Sequence, residues 1–546
     1  MKPVVPLKPR EMSCLKLIPR NASRIAFVGT EAAHIGTAFR RLSPDCHQER
    51  FPNLKRLKLH VADQIDFDDE YDAVVLAGQI FKDQDLKSDL DALGSVLSED
   101  GLIITEILNP FFFLRLEKQL GKEKSFPVSF IKALITKARA YSQALRRNIT
   151  DAGFRIERLA RDDVAVFPRW LQHQKEVTPS MASELDQLSS AIKSSRFLLC
   201  LNTDTVPQMR IQAQVLKPIG GVNDVRIDEP LGALSSMPGV LCHIQRGQKI
   251  VQGHKELRKI FLWHRPVLSF EKSLAHIQSL RRAGYLIITE FDDHYSPWPK
   301  IEKNNFLSFA GVHAIQTTND ELAHLFSKFN PEVAVFPNQL DVFPDRDLSE
   351  PSPVCCIFFG ALNRQADWRP IMPMINKMLA TVRGSFHFDV VMDQEFFDVL
   401  ETDNKEFTPR CSYEEYKEHL VAADVSLMPL LDTGFNRTKS DLKLVEAAGC
   451  GAVPLASSLV YKASDPHGEF AVICETPDQF MIGLKMLIEE KDNRLARQIK
   501  GREYVKSSRM ISQHVQSRYD WLLDVSSRRE ELDIALEKRL TAIAPK

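Results

Sequence analysis

Lys439, Lys443 and Glu446 fall at i, i+4 and i+7 in the run Asp432-Thr-Gly-Phe-Asn-Arg-Thr-Lys-Ser-Asp-Leu-Lys-Leu-Val-Glu-Ala-Ala-Gly-Cys-Gly451. On a helix they share one face. Gly434 and Asn436 permit a tight loop ahead of it. Leu442, Leu444, Val445, Ala447 and Ala448 then supply a buried side, ended by Gly449 and Gly451. A loop that delivers Lys439 beside the free N–H groups of a helix N-terminus suits a diphosphate. Glu446, two turns on, suits the vicinal hydroxyls of a sugar as a hydrogen-bond acceptor. The same spacing also fits an ordinary amphipathic helix with a solvated Lys443–Glu446 ion pair. The residue types alone leave both readings open.

A second cluster, Glu290-Phe-Asp-Asp-His-Tyr-Ser-Pro-Trp298, follows an apolar strand-like run. Open α/β sheets place their ligands at the carboxyl ends of strands. Asp292 and Asp293 fit either a metal-binding acidic pair or a loop that shapes a substrate cleft. His294 could polarise a hydroxyl, and His264 in Trp263-His-Arg-Pro266 has the same ambiguity as a surface or site residue. Neither G-x-x-x-x-G-K-[ST] nor G-x-G-x-x-G occurs, which removes the P-loop and nicotinamide readings. No C-x-x-C occurs among nine scattered cysteines, so zinc and thioredoxin-like chemistry lack support, and reduced, cytoplasmic thiols are expected.

The elements that must position these residues come as strands alternating with helices, the pattern of parallel sheets covered on both faces. A first unit carries Arg24–Gly29, Tyr71–Ala77 and Gly101–Glu106, with Leu86, Leu90, Leu93 and Leu97 at helical spacing between them. Asp151–Glu157 reads as a helix end followed by a strand. The polar segment 171–195 reads as a helical linker. A second unit opens at Phe197–Asn202 and continues through Lys259–Trp263, Tyr285–Glu290, His313–Thr317 and Val333–Phe336. Asp341–Pro353, rich in Asp, Ser and Pro, suits an interdomain linker. A third unit carries Val354–Gly360, Phe388–Met392, Val425–Met428, Ala452–Ala456 and Ala471–Cys474, and charged helices close the chain.

Lys plus Arg total 71 against 72 for Asp plus Glu, a formal net charge of −1. That balance excludes a chain-wide basic surface for nucleic acid. It leaves room for a phosphate-sized grouping of Arg364, Arg437, Lys439 and Lys443. No 18-residue apolar run suggests a membrane span, which leaves peripheral contact with a membrane open. The first 20 residues lack the apolar core of a secretory signal.

The run Lys439–Ser457 resembles the donor-binding segment of GT-B glycosyltransferases, particularly the family 4-like group, where K-S-x-x-K-x-x-E-x-x-x-x-G-x-P is common. Ser412-Tyr-Glu-Glu415, a capping box, and Ala422-Ala-Asp-Val-Ser-Leu-Met-Pro-Leu430, similar to the family's A-A-D-V-x-L-x-P strand, come in the family's order. The resemblance covers residues 197–480. It implies a nucleoside-diphosphate sugar as donor, a glycan, lipid-linked or protein acceptor, no tightly bound cofactor or metal, and retention of anomeric configuration. Glu446 would hold the ribose and Lys439 the diphosphate, with Lys443, Ser440 and Gly434 around them. Thr438 stands where the family often has a second Glu. The family's basic pair after the first C-lobe strand would be Arg364 and Arg369, stabilising the leaving diphosphate. His264, Asp292 and Asp293 would face the acceptor.

The first unit resembles class I S-adenosylmethionine methyltransferases in Tyr71–Ala77, the Leu-rich helix, Leu97-Ser-Glu-Asp-Gly-Leu-Ile-Ile104 and Asp151–Phe154. Its first loop, Val28-Gly-Thr-Glu-Ala-Ala-His-Ile-Gly36, has two glycines seven apart, and Glu31 and His34 crowd it. The fold is therefore expected with degenerate chemistry. The expected architecture is α/β with three Rossmann-like units: 1–170 methyltransferase-like, 171–195 linker, 196–345 an acceptor lobe, and 346–546 a donor lobe with terminal helices.

Overall fold

The computed structural model describes residues 7–62, 70–80, 86–108, 128–163, 194–202, 209–215, 221–245 and 257–545. The helical linker expected at 171–195 lies outside them except for its last two residues, which open a strand. The chain divides into two compact units, the second holding two of the three sheets. One comprises 1–40, 45–206 and 235–239, the other 41–44, 207–234 and 240–546. Three six-stranded sheets account for the α/β class.

In the first unit β1 (Arg24–Val28), β2 (His47–Phe51), β3 (Tyr71–Ile80) and β4 (Leu97–Leu108) run parallel, joined by β5 (Arg155–Asp163) and β6 (Ser194–Asn202) in the order β2-β1-β3-β4-β6-β5. Leu97 opens β4 instead of extending the Leu-rich helix, which stops at Gly94. Strand β6 corrects the expected start of the second unit at Phe197. It runs antiparallel between β4 and β5 and completes the first sheet. The physical reason is burial on both faces. Leu199, Cys200 and Leu201 are each no more than 2 % exposed, and such an unbroken apolar run fits any sheet centre.

The second unit holds both remaining sheets. One contains β7 (Met209–Val215), β8 (Val240–Gln245), β9 (Arg258–His264), β10 (Tyr285–Glu290), β11 (Ala314–Thr317) and β12 (Val333–Val335), all parallel, in the order β12-β11-β10-β9-β7-β8. The other contains β13 (Val354–Gly360), β14 (Ser385–Val391), β15 (Lys405–Thr408), β16 (Val425–Met428), β17 (Val453–Ser457) and β18 (Val472–Cys474). Its parallel order β15-β14-β13-β16-β17-β18 is the doubly wound 3-2-1-4-5-6 arrangement. The chain therefore changes direction between β13 and β16 and leaves a crevice at their carboxyl ends.

The terminal helices correct the 346–546 boundary. Ile511–Ser527 and Arg529–Ile543 return to the β7–β12 sheet, where Leu536 and Leu540 join the core with Phe261, Trp263, Leu280 and Ile287. Arg281 and His313 of that lobe meet Asp533 at 2.7 and 3.1 Å. The charged composition of these helices concealed an apolar stripe long enough to be claimed by a distant sheet.

Candidate functional site

The helix Leu442–Cys450 forms where the sequence reading placed it, and Gly451 ends it in the left-handed region at φ 85°. Gly449 lies inside the helix, against Leu340 and Val505. Its N-cap, Asp441, does not cap through its own side chain. The Asp441 carboxylate takes Arg509 at 2.5 and 2.9 Å and Ser464 at 2.7 Å. The loop before the helix carries Lys439 and Ser440 into a cavity of about 170 Å³ at the ends of β13 and β16. Phe359, Ala361, Leu427, Met428 and Pro429 form its sheet wall. Arg265, Asp292 and Asp293, just beyond β9 and β10, form the opposite wall.

Arg364 enters this cavity held from behind. Its Nη1 donates to Asp367 Oδ2 at 3.0 Å and to Asn436 Oδ1 at 2.9 Å. Buried Asp367 in turn accepts from the Leu431 N–H at 2.9 Å and from Asn436 Nδ2 at 2.8 Å. Lys439 Nζ donates to Asp293 Oδ1 at 2.8 Å and sits 4.2 Å from the Phe435 ring centre. Lys443 Nζ donates to the Gly360 carbonyl at 2.7 Å, so the solvated Lys443–Glu446 pair does not form. Burial and the nearby Arg364 charge push the Lys443 ammonium down to about 8. Burial likewise lowers Lys439, partly offset by Asp293.

The sequence reading missed Arg265. It pairs with Asp292 through two hydrogen bonds of 2.5 and 2.8 Å, from a left-handed backbone position at φ 45°. Burial raises the Asp292 carboxyl, and Arg265 outweighs it, holding the group below its usual range. The signal for Arg265 in the sequence was a cation one position past the end of a strand, beside His264. Asn338 and Tyr413 were also missed. Asn338 Nδ2 donates to Ser440 Oγ at 2.8 Å, and the Tyr413 hydroxyl donates to Glu446 at 2.6 Å. Burial lifts the Glu446 carboxyl to about 7, against the pull of Tyr413 and Lys443.

Several expected members lie elsewhere. Arg369 is 61 % exposed in its side chain and pairs with Glu395 on the surface. Arg437 pairs with Asp432 in solvent. Thr438 turns its hydroxyl back to the Phe435 carbonyl at 2.8 Å, and Gly434 is an exposed first residue of a four-residue helix. His294 accepts from the Ser296 N–H at 3.1 Å and stacks on Tyr295, outside the cavity lining. His264 is buried and pushed down to about 4 by that burial, hence neutral, with Nε2 3.9 Å from Asp292. The carboxylates of Asp292 and Asp293, read from the sequence as either a metal-binding pair or a cleft-shaping loop, pair with Arg265 and Lys439.

The cavity lining thus carries four cations, Arg265, Arg364, Lys439 and Lys443, against two carboxylates, Asp292 and Asp293. The excess of two positive charges faces a small space rimmed by sheet ends, which is what a diphosphate requires.

No protein-family model and no curated protein sequence matches the chain. Among solved structures, it is similar to a glycosyltransferase from Rickettsia africae ESF-5, at 11 % identity over 59 % of this chain and 99 % of that one, TM-score 0.44. Anabaena Alr3699/HepE in complex with UDP and glucose aligns at 12 % identity over 58 % and 100 %, TM-score 0.42. WaaG, a glycosyltransferase involved in lipopolysaccharide biosynthesis, aligns at 14 % identity over 57 % and 99 %, TM-score 0.39. Likenesses at this level do not bear on the chemistry of the cavity. Among the described residues, no helix is long and apolar enough to cross a membrane.

Proposed function

We propose that the second unit is a GT-B glycosyltransferase moving a sugar from a nucleoside-diphosphate donor to a glycan, lipid-linked or protein acceptor. The observation that carries this reading is the cationic excess at the β13/β16 crevice, with Arg364 braced by Asp367 rather than by a carboxylate of the cavity. Arg364, Lys439 and Lys443 hold the diphosphate, and Glu446 with Tyr413 holds the ribose. As the glycosidic bond breaks, negative charge grows on the leaving phosphate. Fixed cations already aimed at it stabilise that charge without reorganising. The acceptor enters from the Asp292–Asp293 side. Retention of configuration and a cytoplasmic setting, in keeping with nine free cysteines, complete the proposal.

Thermal melts of the full chain with UDP, GDP, ADP and their sugar conjugates test it, because a ligand bound only by the folded state raises the melting temperature by mass action. At least one diphosphate is expected to stabilise the protein, and Glu446→Ala is expected to weaken that shift. Absence of any shift across the set, in a protein that folds, would remove the diphosphate site.

The pH dependence has a definite sign. Lys443 is charged below about 8 and loses its proton above it, so diphosphate affinity falls as the pH rises through that value. Titration calorimetry should show this fall in the wild type and its absence in Lys443→Arg, whose side chain stays charged throughout.

For the first unit we infer a methyltransferase-like sheet whose ligand crevice is filled by the protein itself. The helix Pro9–Leu15 brings Arg10 onto Glu31, and a Cβ added at Gly78 would meet the Glu31 carboxylate at 2.8 Å. Cys14 Sγ stands 3.9 Å from Glu106 near the end of β4. S-adenosylmethionine is accordingly expected to leave the melting temperature unchanged, and a saturable shift would overturn this part.

A further inference from the structure

Asp293 and Lys439 come from the two different sheets of the second unit, and their contact closes the cavity where a diphosphate would sit. Two features make this contact suited to exchange. First, the backbone on the Lys439 side is fixed: Asn319 Nδ2 donates to the carbonyls of Thr438 at 3.1 Å and Lys439 at 3.3 Å, and Asn338 holds Ser440. Moving Lys439 therefore needs rotation of its side chain alone. Second, the Asp293 carboxylate is fixed independently of Lys439, because Oδ1 also accepts the His294 N–H at 2.9 Å. It stays in the cavity when the lysine leaves it.

Charge completes the picture. Arg265 and Asp292 neutralise one another through their paired hydrogen bonds, and Arg364 is paired with Asp367 behind the cavity, leaving Lys439 and Lys443 against Asp293. A sugar-linked diphosphate carries one negative charge on each phosphate, which matches Lys439 and Lys443 once Asp293 is displaced. A phosphate oxygen that takes over Lys439 competes directly with Asp293 for the same ammonium.

We propose that Asp293 is a resident anion that occupies Lys439 until the donor diphosphate displaces it, and that the freed carboxylate then accepts hydrogen bonds from hydroxyls of the sugar in the cavity. Asp293 is thus a positioning residue whose availability depends on donor binding. It offsets part of the cavity's positive charge when empty and couples sugar orientation to diphosphate occupancy. This rests on the reading of the cavity as a diphosphate site.

The test is calorimetric titration of the full chain with inorganic pyrophosphate and with UDP, beside steady-state kinetics on whichever donor stabilises the protein. Asp293→Asn keeps an oxygen for the His294 N–H and removes the competing charge. It should bind pyrophosphate about tenfold more tightly than the wild type. The same variant should show a lower KM for donor together with a kcat reduced about tenfold or more, because the sugar loses its charged acceptor. A residue that only supported the loop would not tighten pyrophosphate binding. Asp293→Ser provides a second variant with the same expected direction. Equal or weaker pyrophosphate binding by both variants, with the wild type binding normally, overturns the proposal alone. Failure of the wild type and both variants to bind pyrophosphate or UDP overturns the diphosphate reading and this proposal with it.

Discussion

Arg364→Ala is expected to lower the rate of sugar transfer by about 10²–10³ while leaving the protein folded, the size of loss typical when one preorganised group facing developing charge is removed. The side chain is about one quarter exposed and its partners, Asp367 and Asn436, also hold each other and the Leu431 N–H. Its removal therefore leaves that network with a bonded framework rather than an orphaned cluster. Asp367 is what fixes the guanidinium, so Asp367→Asn should produce a smaller loss of the same kind. Arg369→Ala is the contrast. Its guanidinium meets Glu395 at the surface, outside the cavity, and no change in rate is expected. Single-turnover measurements with saturating donor distinguish the three variants. Full activity in Arg364→Ala would refute the assignment of the leaving-group site.

The largest stability effect is expected at Arg226, which lies behind the cavity rather than in its lining. Its guanidinium is 2 % exposed and bonds Glu290 Oε1 at 2.8 Å and Oε2 at 3.2 Å. It also donates to the Phe336 carbonyl at 2.9 Å, Asn338 Oδ1 at 2.8 Å and the Thr317 carbonyl at 3.3 Å. Glu290 has no exposure at all. Arg226→Met leaves a buried carboxylate without its main partner, an arrangement that costs about 3–5 kcal/mol. Equilibrium urea unfolding should show the midpoint falling with an unchanged slope.

The pH dependence of that loss can be signed. Burial already raises the Glu290 carboxyl against the pull of Arg226, and removing the arginine raises it further. The variant binds that proton more readily when folded than when unfolded, so lowering the pH recovers part of the lost stability. Asn338 links this network to the site, since its Oδ1 takes Arg226 and its Nδ2 holds Ser440. Diphosphate affinity should fall in Arg226→Met as well. A loss below 1 kcal/mol would show that nearby Arg518, which also acts on Glu290, substitutes for it.

Much of the second unit was legible because its signals are local. The strand Val354–Gly360 and the helix Leu442–Cys450 follow from apolar runs and from glycine at a left-handed end. The capping box at Ser412 and Glu415 forms as the four-residue pattern requires, each side chain bonding the other's backbone. Strands such as His47–Phe51 and Lys405–Thr408 were not legible, since their half-exposed polar residues give no apolar run. Lys439 was singled out by type and spacing and Arg364 by the family resemblance, and both line the cavity. Arg369 was misplaced because spacing alone cannot tell which of two nearby cations the backbone turns inward. Here the four-residue helix Gln365–Trp368 buries Trp368 and leaves Arg369 facing Glu395.

A balanced net charge and alternating strands and helices were sufficient, by themselves, to determine an α/β protein without a chain-wide basic surface, and left room for a phosphate-sized basic grouping. Which cations share a cavity was decided only by the tertiary structure. Strand order brings the ends of β9 and β10 opposite those of β13 and β16, so Arg265, Asp292 and Asp293 meet Arg364, Lys439 and Lys443 across stretches of sequence that carry no mutual signal. Local periodicity encodes the faces of helices and strands. The pairing of distant strand ends depends on the summed packing of whole sheets, and the site exists only at that level.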